Sequence, residues 1–205
     1  MDFQKLVDDS VHRVRATYPP EAFRNKDFYA NWLAQTYYFV RHSTSLLGFA
    51  LPFLKDPKLR QVFEHHLGEE SRHDLLALKD LEQLGGSIEA YAESACTQAF
   101  YQSQYYKIQF EGASSLLGYI LFLEGLAVSL GKDVYDDVQK IFPKATLFLK
   151  VHAEEDVSHV ARAVALVKAL PAVDQEFIAQ NLLYSQELYQ RLLGRENSKM
   201  PRKVA

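Results

Sequence analysis

Residues 66–73 read His66-Leu-Gly-Glu-Glu70-Ser-Arg-His73, and residues 152–159 read His152-Ala-Glu-Glu-Asp156-Val-Ser-His159. Both fit the pattern His-x3-(Asp/Glu)-x2-His. On an α-helix, positions i, i+4 and i+7 fall within about 60° of one another and span about two turns. Each copy therefore projects two imidazoles and one carboxylate from a single stripe. Two such stripes facing each other across a helical bundle make a cage of nitrogen and oxygen donors for one or two transition-metal ions. Composition alone predicts roughly 0.03 chance matches to the pattern, so two copies call for an explanation. The competing reading is a pair of solvated helix faces carrying His–acid contacts.

The rest of the chain sets limits on what such a cage serves. A length of 205 residues suits one domain with a large core, and 48% hydrophobic with 24% charged residues is ordinary for a soluble globular protein. A net charge of −3 and the lack of a basic stripe give no reason to expect nucleic acid. The basic stretch Lys199 to Lys203 reads as a frayed end, with residues 196–205 as a tail. Cys96 is the only cysteine, which precludes an internal disulfide and fits a reducing cytoplasm. No signal peptide is evident. The longest apolar run, Leu116 to Leu130, contains Glu124 and two glycines and reads as a buried helix rather than a membrane span.

Hydrophobic spacing is helical nearly everywhere, with no clean period-2 segment. The expected helices are Asp2–Thr17, Lys26–Leu54 with Asn25 as N-cap, Lys58–Leu84 ended by Gly85-Gly86, and Ile88–Phe110 capped by Ser87. There follow the segment opened by Ser114 and ended by Gly131, a short piece from Asp133 to Phe142, Ala145–Leu170 and Val173–Leu193. That is an all-α domain of about seven helices. Residues 1–24 form its first helix and turn, and residues 25–195 its bundle.

Glu124 is an isolated carboxylate in the most apolar segment, with no Lys or Arg within a helical turn. Buried unpaired, it would be costly, and metal ligation resolves that cost. The candidate ligands are then Glu70, His73, Glu124, His152, Asp156 and His159. Three imidazoles and three carboxylates without a thiolate suit non-heme iron or manganese rather than structural zinc. Glu155 competes with Asp156, being i+3 from His152 and i−4 from His159. His66 can be a ligand or a supporting group. Tyr37 and Tyr38, in an aromatic stretch, are candidates for a hydroxyl near the reaction centre.

The set Glu-Glu70-Ser-Arg-His73-Asp-Leu-Leu, Asp80-Leu-Glu-Gln-Leu-Gly85, Tyr119-Ile-Leu-Phe-Leu-Glu124-Gly and His152-x3-Asp156-x2-His159 resembles the heme-oxygenase-like di-iron oxidases and oxygenases. These are the iron-containing redox enzymes, neighbours in fold of the thiaminase and pyrroloquinoline-quinone-synthase proteins. The resemblance spans about residues 25–170. It implies a heme-oxygenase-like bundle, the six ligands named above, and two irons (or manganese in place of iron) with O2 as co-substrate. It also implies a small amino-acid-like or fatty-acid-like substrate. A homodimer is compatible with that fold; a membrane partner is not expected. Other readings are a ferritin-like metal-handling protein, a heme protein using His12 or His42, a non-enzymatic helical protein with a degenerate site, and an enzyme that oxidises one of its own twelve tyrosines.

Overall fold

Short polar side chains set where the helices begin. Asp2, Asn25, Asp56 and Ser94 each accept a backbone N–H from the first turn that follows, satisfying donors a helix start leaves open. The computed structural model describes residues 1–153 and 157–192, with the backbone alone for 157–159. Among the described residues no strand occurs, and the helical segments are α1 (Phe3–Thr17), α2 (Lys26–Val40), α3 (Ser43–Ala50), α4 (Pro57–Glu69), α5 (His73–Gln83), α6 (Ala95–Phe110), α7 (Leu116–Leu126), α8 (Lys132–Ile141), α9 (Leu147–Ala153), α10 (Val157–Ala169) and α11 (Ala172–Leu192).

Each expected helical stretch contains helix among the described residues, but several boundaries differ for physical reasons. The stretch 26–54 breaks at Arg41-His42 into α2 and α3, and a 3-10 turn, Leu51–Phe53, accommodates Pro52. The cap at Ser87 is not used. Residues 88–90 make one 3-10 turn, and α6 begins only after Ser94. The side chain of Gln35 decides this: its Oε1 accepts from the Ser94 N–H at 3.0 Å and from Thr97 Oγ1 at 2.6 Å, and Ser94 Oγ in turn takes the Thr97 N–H.

Gly131 does not end its helix. α7 continues through one π-helical turn, Ala127–Gly131, into α8, giving an unbroken rod from Ala113 to Ile141. By length and hydropathy that rod could cross a bilayer, but 67% of its most apolar window is buried inside the protein. Its apolar surface is covered by α1, α10 and α11. The contact with α11 is closest at Gly118, where a Cβ would lie 2.1 Å from the Ile178 carbonyl oxygen and 2.7 Å from the Leu182 nitrogen. Asn181 fastens the same crossing by donating to the Ser115 carbonyl at 2.8 Å and to Gln104 Oε1 at 2.7 Å. A continuous apolar core, including Phe3, Tyr29, Leu33, Phe63, Phe100, Leu121, Phe122 and Ile178, runs between all these elements.

Candidate metal centre

The first motif does not lie in mid-helix as its spacing suggests. α4 stops at Glu69, Arg72 takes the left-handed conformation (φ 70°), and α5 starts at His73. Arg72 is the only non-glycine residue with positive φ among those described. Such a residue costs free energy, and it stands here between two candidate ligands. The break still leaves Glu70 and His73 together: Glu70 Oε1 is 3.8 Å from His73 Nδ1 and 3.8 Å from His66 Nε2.

α9 brings His152 to the same point. Its ring meets that of His73 edge-on at 4.9 Å between centroids and stacks on Phe148 at 4.1 Å. One donor atom from each of Glu70, His73 and His152 lies within 4.8 Å of the others, the spacing a single bound cation requires. His152 Nδ1 is 2.8 Å from the Phe148 carbonyl, so as the Nδ1–H tautomer it donates there and leaves Nε2 as the ligand atom. His73 Nδ1 is buried without a hydrogen-bond partner. Two imidazoles and a carboxylate, one ring pre-set in tautomer and one with an orphaned nitrogen, fit a hard-to-borderline divalent metal ion.

Burial sets the electrostatics. It drives Glu70 up to about 7, with Glu69 adding to the rise and a hydrogen bond from Ser43 opposing it. It drives His152 down to about 4, against the Phe148 hydrogen bond, and lowers His73. The metal-free site is therefore a set of groups that resist charge, a condition that a bound cation reverses.

Glu124 is 14% exposed, and its Oε1 is 3.9 Å from His66 Nδ1. His66 thus stands between Glu70 and Glu124. Asp156, its competitor Glu155 and the side chain of His159 lie outside the described residues, as does the tail 196–205. Tyr37 and Tyr38 are not at the centre. Successive helical residues turn by about 100°, so Trp32, Thr36, Phe39 and Val40 form the inward wall of α2 while the Tyr38 hydroxyl donates to the Tyr91 carbonyl at 2.8 Å. His12 is exposed, and His42 stacks on Tyr101 at 3.8 Å; neither lines the chamber beside Glu70 and His152.

Two residues with no role assigned from sequence place His152. The Asp80 carboxylate, completely buried, accepts the N–H groups of Leu147 and Phe148 at 3.0 and 2.8 Å and so caps α9 from α5. The Tyr29 hydroxyl donates to the Ala145 carbonyl at 2.6 Å, just before that helix. A signal for Asp80 does exist: it shares the inward face of α5 with Ala77 and Leu81, where a carboxylate is out of place.

Two cavities flank the ligands. The inner chamber, about 120 Å³, is walled by apolar side chains from α2, α3, α7, α8 and α9, with Glu70, Glu124, His66 and His152 at one side. The outer cleft, about 330 Å³, is lined by His65, Glu69 and Arg162 among others, and shares His66 and Glu124 with the chamber.

Comparison with known proteins bears on the family and the fold. A family model described as "iron-containing redox enzyme" matches residues 30–190. A domain of unknown function with a heme oxygenase-like fold from Shewanella denitrificans is 20% identical, with a TM-score of 0.81 over 94% of this chain and 90% of that one. A TenA homologue from Pyrococcus furiosus is 12% identical, with a TM-score of 0.75 over 94% and 98% of the two chains. A TenA homologue from Pseudomonas syringae is 15% identical, with a TM-score of 0.75 over 95% and 90%. These likenesses establish a heme-oxygenase-like fold. No curated protein matches the sequence.

Proposed function

The chain belongs to the iron-containing redox enzyme family, and from that membership we propose that it is a non-heme, di-iron oxidase or oxygenase that uses O2 on a small, largely apolar substrate. The observation that carries the proposal is the convergence of Glu70, His73 and His152 from three separate helical segments beside an apolar chamber. These three residues would hold one ion. Glu124 and His66 would be donors to the other, and the family resemblance adds Asp156 and His159 of the second motif; manganese fits the same set. Bound iron supplies the activation of dioxygen, chemistry that side chains alone do not provide.

The protein's own contribution is position and exclusion of water. Asp80 and Tyr29 fix the start of α9, and the Phe148 carbonyl fixes the ring and tautomer of His152. Ser43 of α3 lines the chamber with Glu70 and favours its charged form. The apolar walls keep bulk water from the ligands and admit an aliphatic or aromatic substrate body. The test is oxygen uptake by protein loaded anaerobically with Fe(II). Iron-dependent uptake at two irons per chain supports the proposal. Bound iron that consumes no oxygen, with or without candidate substrates, would leave only metal handling.

A further inference from the structure

Within the chamber two hydroxyls are out of keeping with their surroundings. Tyr119 is 3% exposed and Thr36 1% exposed; both line the chamber, and neither Tyr119 Oη nor Thr36 Oγ1 has a hydrogen-bond partner. They come from different elements, α7 and α2, while the walls around them are apolar: Phe39, Leu46, Leu116, Ile120, Leu130 and Val134. A buried hydroxyl without a partner is costly, and two of them on residues that line one cavity describe a place for a ligand's polar group. No lysine or arginine lines the chamber, so an anionic head finds no counter-charge there beyond a bound metal. Tyr119 and Thr36 share this chamber with the candidate ligands Glu70 and His152, which also line it.

We propose that the chamber binds a molecule with an apolar body and one neutral hydrogen-bonding head, an alcohol or primary amide, and that Tyr119 Oη and Thr36 Oγ1 hold that head beside the metal ligands. This rests on the proposed function for its meaning as a substrate site and narrows the expected amino-acid-like or fatty-acid-like substrate to its neutral-headed relatives. The binding itself is independent of iron.

The chain carries its own reporter. Trp32, the single tryptophan, lines the chamber and donates to the Tyr189 hydroxyl at 2.9 Å. Its fluorescence is followed while hexan-1-ol, hexanamide, hexanoate and n-hexane are titrated into the full chain, metal-free and loaded with Mn(II). The alcohol and the amide are expected to bind more tightly than n-hexane in both forms. Tyr119→Phe and Thr36→Val should each weaken them by about three- to tenfold and leave n-hexane unchanged. Both variants remove an unpartnered group, so their unfolding midpoints should match or exceed that of the wild type. Equal affinity for alcohol and alkane overturns the proposal. So do hexanoate as the tightest ligand, or marked destabilisation by Tyr119→Phe, which would reveal a structural partner for its hydroxyl. Head-dependent binding in a chain that takes up no iron would uphold this site while removing the oxidase reading.

Discussion

The carboxylate of Asp80 accepts the backbone N–H of Phe148 at 2.8 Å, joining the helix that starts with His73 to the one that carries His152. Removing it leaves two buried N–H donors at the start of α9 unsatisfied. Asp80→Ala should cost about 3 kcal/mol in urea unfolding. It should also weaken metal binding by about ten- to a hundredfold, although Asp80 is not itself a ligand. Retained affinity in a destabilised variant would show that α9 is held by other contacts.

Glu70 makes the site dependent on pH. Its folded pKa is raised from 4.5 to about 7, so in metal-free protein it opposes stability progressively as pH rises through that interval. His152 is lowered from 6.5 to about 4, so stability falls as pH drops through that interval. Glu70→Gln removes the first effect and should raise the urea midpoint of metal-free protein at pH 8 while weakening metal binding. In the wild type, metal affinity should climb with pH up to about 7 and then flatten, because the ion must displace the Glu70 proton. Calorimetric titrations in buffers of different ionisation enthalpy would count that proton.

Arg72 is strained where the site needs a break in the helix. Its side chain is exposed, so Arg72→Gly should relieve the left-handed backbone and raise stability by up to about 1 kcal/mol, with metal binding intact. Arg72→Val, with a branched Cβ in the same conformation, should lower both stability and metal affinity. Denaturation and metal titration on the two variants separate backbone strain from any role of the guanidinium.

The crossing of α7 and α11 depends on the absence of a side chain at position 118. A Cβ there meets the backbone of Ile178 and Leu182, which cannot rotate away. Gly118→Ala should cost about 3 kcal/mol or more in thermal or urea unfolding, despite the better helix propensity of alanine. A neutral effect would mean that the two helices separate readily.

Helical class was legible because apolar spacing repeats with the helical period along nearly the whole chain, and Asn25 announces its cap. Of the two His-rich motifs, Glu70 and His73 of the first and His152 of the second converge, while Asp156 and the side chain of His159 lie outside the described residues. What could not be read is mainly long-range. Nothing in Glu-Glu70-Ser-Arg-His73 marks a helix break, since no glycine or proline stands there. Both Ser87 and Ser94 are good caps locally, and the choice is made by Gln35, 59 residues before Ser94. The Asp80 cap joins residues 68 apart. The inward face of α2 is set by its packing, and it turns Thr36 rather than Tyr37 or Tyr38 to the chamber.

The central claim, that Glu70, His73 and His152 form an iron site, is tested most directly by anaerobic Fe(II) titration of the wild type beside His73→Ala and His152→Ala. Saturable binding is expected in the wild type, with a loss of at least a hundredfold in affinity, or of one whole equivalent, in each variant, both variants still being folded by circular dichroism. Fe(II) bound with unchanged affinity and stoichiometry in the two folded variants would contradict the claim.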